Sequence, residues 1–395
     1  MVAKITSKKI KSSEQGKRIY FNEKVITPLL KHPNILSIRE VIEAKAQSFQ
    51  ISELYEEGDL LNYIKTHNPS PQICLHFVDQ ILAAVEYLHE NYICHRDIKL
   101  ENVLLTKKLN VKLCDLGLAS ITFDGKVTQK CGSYQYVAPE VFASDVYDGM
   151  KADMWSCGVL FFCIFSKKFP YRDQNYDTID FRFVPEYIRP LISSLLRLDP
   201  TKRPSAKECR KMKIFDRLQN RVPLFTVSYN ILSPIVNPNP FFVSRISQIT
   251  GQPTRQIKEL FLTDKPLVEK LLYHFFTIRM EKKMKKHNSL PIFNVIPEFP
   301  CIYQRQYKAD SCSVMNEVKK FLLPFNCCIS SPVTMNRSIV LNKSDQDSSA
   351  YFECLDNSDL NQCTLSLSAH EDCELFSKSL FSFLDTKFDT ENAEK

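Results

Sequence analysis

Glycine is scarce in this chain, with eight residues in 395, and no G-x-G-x-x-G stretch occurs. A phosphate-cradling loop of that form is therefore excluded from these residues. No sign of charge dominates: 52 Lys and Arg against 45 Asp and Glu leave a formal net charge of +7. That is too mild for this length to argue for nucleic-acid binding. No apolar run reaches the roughly 18–20 residues of a membrane span, the longest candidate being around 157–165, and no signal peptide opens the chain. The fourteen cysteines form no C-x-x-C pair and no zinc-finger spacing with histidine. Cys327 and Cys328 are adjacent, whereas Cys157 and Cys163 lie in an apolar run. Reduced buried thiols in a cytoplasmic or nuclear protein are expected.

What is present reads as a soluble chain of two or three domains, 44% hydrophobic and 25% charged. Residues 1–218 alternate apolar periodic segments with short polar turns, an α/β to α-rich pattern. The run 73–89 repeats apolar residues at helical spacing, and 103–105 and 111–114 read as strands around a turn. Pro223, Pro234, Pro238 and Pro240 interrupt any helix, so 219–240 is expected to be a linker. Three short helices are expected over 241–287, broken at Gly251-Gln252-Pro253 and Asp264-Lys265-Pro266, then a second linker over 288–305. In 306–390, helices at 314–323 and 373–388 and strands at 337–341, 350–355 and 362–368 suggest a small α+β domain.

The informative stretch is His95-Arg96-Asp97-Ile98-Lys99-Leu100-Glu101-Asn102. Asp115-Leu116-Gly117 begins thirteen residues past Asn102, and Cys131-Gly132-Ser133 and Ala138-Pro139-Glu140 follow. Each triplet alone is weak. The ordered set resembles the signature of serine/threonine protein kinases over about 218 residues. The fold implied is an α+β, bilobal, protein-kinase-like domain with a truncated N-terminal lobe.

The resemblance implies transfer of the ATP γ-phosphoryl group to protein serine or threonine, with Mg²⁺. Such transfer needs an aligned hydroxyl, charge neutralisation and metal rather than covalent help. Asp97 would accept the substrate hydroxyl's proton, and Lys99 would reach the γ-phosphate. Asn102 and Asp115 would be the hard oxygen ligands of the metal. Upstream, Met1-Val2-Ala3-Lys4 resembles the strand whose lysine holds the α- and β-phosphates, with Glu23 as that lysine's partner. The hinge would be Ser52-Glu53-Leu54-Tyr55, where the backbone of Glu53 and Tyr55 would bind adenine. Asp59 would contact ribose, and Asp59 with Glu101 would hold an arginine three residues before the phosphoacceptor. Ser133 would bond Asp97 and Lys99. Arg96 would bind activation-segment phosphate, and Gly117 would permit the turn of the magnesium loop. Asp153 would bond the backbone near Arg96, and Arg203 would pair with Glu140.

The chain departs from the pattern where it lacks the strands and glycine-rich loop ahead of the lysine strand. A truncated gene model is expected; a pseudokinase scaffold is the alternative. Cys131-Gly132-Ser133-Tyr134-Gln135-Tyr136 and Trp155-Ser156-Cys157-Gly158 resemble the calmodulin-kinase-like group. Within it, residues 241–286, above all 266–276, resemble the ubiquitin-associated-like bundle of AMP-activated-kinase relatives, including a fungal septin- and mitosis-controlling branch. Residues 306–388 resemble a kinase-associated domain. The checkpoint kinase one branch competes, because the activating threonine of the other branch aligns with Gln129, leaving Thr128 beside it. The many carboxylates of the C-terminal segment oppose contact with acidic membranes. An autoinhibitory contact between that segment and the kinase domain is expected instead. The basic cluster Arg279, Lys282, Lys283, Lys285 and Lys286 reads as a solvated helix end, with nuclear import as the other option.

Overall fold

The structure, a computed structural model, describes residues 1–44, 46–171, 176 and 179–287, and the strand segments 301–307, 328–330, 338–342, 349–357, 362–369 and 390–391. The chain divides into two compact units, Met1–Asn230 and Ile231–Lys395.

The first unit opens with an antiparallel sheet in the order β1-β3-β2, built from β1 (Val2–Ser7), β2 (Ile38–Glu43) and β3 (Gln47–Ser52). Lys4 lies opposite Gln50 in its register. Between β1 and β2 runs α1 (Glu14–Phe21), whose N-cap Ser13 accepts a hydrogen bond from the Gly16 N–H. A π-helical turn, Asn22–Ile26, and a short α2 (Thr27–Leu29) continue it. Glu23 sits in this wider turn, a local irregularity that often accompanies functional sites.

The helical part follows through α3 (Leu60–Thr66) and α4 (Pro71–Glu90). Ser70 caps α4 with Pro71 at its first position, where no N–H is needed. β4 (Ile93–Cys94), β5 (Val103–Leu105), β6 (Val111–Leu113), β7 (Ser120–Ile121) and β8 (Lys126–Val127) come next. Then follow α5 (Pro139–Ala143), β9 (Tyr147–Asp148), α6 (Gly149–Ser166), α7 (Arg189–Leu195) and α8 (Ala206–Arg210). The helix expected at 73–89 is α4, and the strand pair expected around Asn110 is the antiparallel pair β5–β6. α6 is buried nearly all round, and at Gly158 an added Cβ would lie 2.8 Å from the Leu195 Cβ, so α6 and α7 approach closely there.

The expected linker 219–240 is corrected over its first half. Buried Arg210 of α8 pairs with Asp79 (3.3 Å) and Glu86 (2.6 Å) of α4 and donates to the Val222 carbonyl. Arg221 reaches Asp79 at 2.8 Å, and the Phe225 N–H donates to Glu86. The Phe225 ring lies edge-on to Tyr87, and Tyr229 donates to Asn91. Buried carboxylates on α4 need these cations and N–H groups, so the chain stays packed through Asn230.

In the second unit the three expected helices are α9 (Pro240–Thr250), α10 (Thr254–Phe261) and α11 (Val268–His287). Gly251, at φ +73°, ends α9 in the left-handed conformation that favours glycine. Phe242, Phe261, Leu271 and Phe275 are buried between them. The remaining strands form one antiparallel sheet: β10 (Cys301–Tyr307), β11 (Cys328–Ser330), β12 (Ser338–Asn342), β13 (Ser349–Asn357), β14 (Gln362–Ala369) and β15 (Thr390–Glu391). Their order is β11-β12-β13-β14-β10-β15. The strands expected at 337–341, 350–355 and 362–368 correspond to β12, β13 and β14, while β10, β11 and β15 were not anticipated. The helices expected at 314–323 and 373–388 and the proline-bearing segment 288–300 lie outside the described residues. Among the described residues, no helix is long and apolar enough to cross a membrane.

Candidate active site

The loop from His95 to Asn102 hangs between β4 and β5 and is fixed from below. Asp153 of α6 accepts from the His95 N–H at 2.7 Å and the Arg96 N–H at 2.8 Å. Arg96 has φ +65°, a left-handed conformation costly for a non-glycine residue, and these bonds offset that cost. Asp97 emerges next and gathers the expected partners. One carboxylate oxygen accepts from the Ser133 hydroxyl at 2.8 Å and the Ser133 N–H at 3.1 Å. The other meets Lys99 Nζ at 2.8 Å and Asn102 Nδ2 at 2.9 Å. Lys99 also donates to Ser133 Oγ at 2.8 Å. Burial alone would raise the Asp97 pKa, but the bonds from Lys99 and Ser133 outweigh it and hold the carboxyl below its ordinary value. Asp97 is thus ionised and aligned, as a proton-accepting group must be.

A second cluster forms across the sheet and α1. Lys4 Nζ lies 2.7 Å from Glu23 and 2.8 Å from Asp115. Burial works to lower the Lys4 pKa, yet the Asp115 and Glu23 carboxylates outweigh it and the net displacement is upward. Asp115 is pushed up by burial and pulled down more strongly by Lys4, ending below its ordinary value. The lysine of β1, the glutamate of the π turn and the aspartate 111 residues past the lysine therefore meet at one point.

Three residues of this cluster were not anticipated. Thr6 donates to the second Glu23 oxygen at 2.6 Å, and Gln50 donates to the Glu23 carbonyl. Asn22 donates to the Gly117 and Ala119 carbonyls at 3.1 and 2.7 Å, tying the helix to the loop after Asp115. Strand alternation, which places Thr6 on the Lys4 face, was the available signal for Thr6. The expectation for Gly117 is corrected. The left-handed residue of this loop is Asp115, at φ +60°, not Gly117. Gly117 answers to close approach instead: a Cβ there would lie 3.3 Å from Asp115 Oδ1 and 3.4 Å from Ile19 Cγ2.

Asn102 donates its amide nitrogen to Asp97, which leaves its side-chain oxygen as the atom that would ligate a metal with the Asp115 carboxylate. An all-oxygen set of this kind fits Mg²⁺. At the expected hinge, Ser52 and Tyr55 are buried and Glu53 is exposed. The Tyr55 carbonyl accepts from the Gly58 N–H at 3.1 Å. Asp59 caps α3 by accepting from the Asn62 N–H at 2.8 Å, a structural use beyond the expected one. Glu101 is exposed in the 3-10 turn Leu100–Asn102. Glu140 and Arg203 form a two-pronged pair at 2.5 and 2.9 Å. Arg96 donates to the Leu118 carbonyl and to both oxygens of Gln129.

A family model described as "Protein kinase domain" matches residues 1–215, more than half of the chain. Among curated proteins, the chain is 37% identical over 208 residues to a carbon catabolite-derepressing protein kinase of Secale cereale, covering 50% of this chain and 41% of that protein. It is 31% identical over 277 residues to the mitosis inducer protein kinase cdr2 of Schizosaccharomyces pombe, covering 66% and 35%. It is 35% identical over 210 residues to CBL-interacting serine/threonine-protein kinase 15 of Arabidopsis thaliana, covering 49% and 50%. The chain thus spans half or less of the length of these relatives. The chain belongs to the protein kinase family.

Proposed function

We propose that this member of the protein kinase family transfers the γ-phosphoryl group of ATP to serine or threonine of protein substrates. The carrying observation is the Asp97 cluster: an ionised carboxylate held by Lys99, Ser133 and Asn102 within 2.8–3.1 Å. Asp97 orients the substrate hydroxyl and accepts its proton, and Lys99 neutralises charge on the transferred group. Lys4, fixed by Glu23, positions the ATP phosphates. Asn102 and Asp115 would hold Mg²⁺, which would supply charge neutralisation at the phosphate oxygens. The backbone at Glu53 and Tyr55 receives adenine, and Asp59 receives ribose. Asp59 and Glu101 favour a basic residue ahead of the phosphoacceptor. These intact groups support transfer over a purely scaffolding role.

In this reading α9–α11 form a ubiquitin-associated-like bundle, and β10–β15 belong to a kinase-associated-like domain with an autoinhibitory role. Similarity to a mitosis inducer kinase supports a role in cell-cycle or morphogenesis control, with checkpoint control as the competing pathway. Buried reduced thiols such as Cys157 and Cys209 support a cytoplasmic or nuclear setting. The test is ATP-dependent phosphorylation of an Arg-x-x-Ser peptide by the chain and by Asp97→Ala. Transfer lost in the variant supports the reading. Transfer equal in both refutes it.

A further inference from the structure

Gln129 follows β8 in the segment that leads to Ser133. Four donors converge on it. Its side-chain oxygen accepts from Arg18 Nη1 at 3.0 Å and from Arg96 Nη2 at 3.2 Å. Its carbonyl accepts from Arg96 Nη1 at 3.2 Å and from the Tyr147 hydroxyl at 2.8 Å. Both side-chain partners are donors only, so the amide oxygen, not its nitrogen, must face them.

The two arginines come from the two halves of the site. Arg18 lies in the last turn of α1, just ahead of Glu23 in the continuing π turn. Arg96 adjoins Asp97 and also donates to the Leu118 carbonyl, in the loop that starts at Asp115. One amide oxygen therefore joins the Lys4–Glu23–Asp115 cluster to the Asp97 loop. Two guanidinium groups drawn to one point repel each other, and an acceptor between them offsets that cost. Here that acceptor is neutral, permanent and part of the chain.

We propose that Gln129 is a positioning residue that holds the active arrangement of the site without phosphorylation of this segment. The proposal rests on the kinase reading. It assigns to an amide the bridging task that an added phosphate would otherwise perform between Arg18 and Arg96. The neighbouring Thr128 is exposed and takes no part in the bridge.

The test uses the full chain, purified, treated with phosphatase and assayed on an Arg-x-x-Ser peptide with Asp97→Ala as the blank. Phosphatase treatment is expected to leave kcat unchanged, and Thr128→Ala likewise. Gln129→Ala is expected to lower kcat about tenfold to hundredfold, the size of losing hydrogen bonds to charged groups. Gln129→Glu, which keeps the acceptor, restores parent activity or exceeds it. Arg18→Ala and the double variant Arg18→Ala/Gln129→Ala fall no further than Gln129→Ala alone, because one bridge is removed in each. A merely structural role would give additive losses that follow the melting temperature. A tenfold loss of kcat on phosphatase treatment, or parent activity in Gln129→Ala, overturns the proposal. Amide hydrogen exchange over 126–133 gives a reading independent of transfer. Faster exchange in Gln129→Ala than in the parent supports the bridge even where no Asp97-dependent transfer is seen and the kinase reading itself fails. Equal exchange refutes it.

Discussion

Glu23→Gln separates positioning from stability at the site. Glu23 holds Lys4 Nζ at 2.7 Å, and Thr6 and Gln50 hold Glu23 in place. At an effective dielectric of about 20, the gross attraction between Lys4 and Glu23 at 2.7 Å is on the order of 6 kcal/mol. The Lys4 side chain is 47% exposed, so water competes for it. The net contribution of such a pair to stability is about 1 kcal/mol or less. Glutamine also keeps an acceptor for Thr6. Melting should therefore fall by no more than about 4 °C. Activity should respond far more. Without the glutamate, Lys4 retains only Asp115, the residue proposed to bind Mg²⁺, and it leaves the position proposed for meeting the phosphates. A displacement on the scale of 1 Å at a reacting centre costs about a hundredfold. Steady-state kinetics with ATP titrated should show kcat/KM down by about ten- to a hundredfold, measured beside melting of the same preparation. A kcat/KM within threefold of the parent would refute the reasoning, as would an activity loss fully matched by lost stability.

Arg210→Ala removes a buried cation from Asp79, Glu86 and the Val222 carbonyl; Asp79 keeps Arg221, but buried Glu86 loses its cation and keeps only the Phe225 N–H. The expected loss is about 3–5 kcal/mol; calorimetry showing melting unchanged within about 2 °C would contradict it. Gly132→Ala places a Cβ 2.7 Å from Val137 Cγ2 and 2.8 Å from the Arg96 carbonyl at φ +112°. It should displace Ser133 from Asp97 and lower kcat at least about tenfold, with a smaller change in the KM for ATP, read by initial rates. For pH, Asp97 and Asp115 both titrate below their ordinary value of 3.8. Carboxylates depressed in the folded state stabilise it above their unfolded pKa, and that contribution is lost as pH falls through the folded value. The rate should therefore hold steady on the acid side down to about pH 5, with stability declining only below about pH 4. An acid limb near pH 6.5 would point to histidine instead.

The catalytic loop was legible because its groups are contiguous. Chemistry fixes the spacing of Asp97, Lys99 and Asn102, and a short stretch of chain carries it. Lys4 with Glu23 was legible through the resemblance, since no local pattern joins a strand lysine to a helix glutamate. What escaped the sequence acts through the backbone or across the fold. Asn22 and Gln50 bond carbonyls, and any residue type supplies a carbonyl, so nothing in the partner marks the contact. Arg210 and Lys270 look like ordinary helix charges, yet both are buried; Lys270 donates to the carbonyls of Leu232, Ser233 and Thr263. Their burial follows from tertiary placement, which periodicity does not encode. Gln129 was visible only as a departure from the threonine that the resemblance implies there, and its partners Arg18, Arg96 and Tyr147 lie far off in the chain. The left-handed residues make the same case from the opposite side. Arg96 has little propensity for positive φ and Asp115 only the modest one of aspartate, and both adopt it beside the Asp97 cluster. The cost is met by Asp153 beneath Arg96 and by Lys4 on Asp115, contacts made by residues 57 and 111 positions away. Local rules fail here because long-range bonds hold the backbone in the geometry that brings Asp97 and Asp115 to the site.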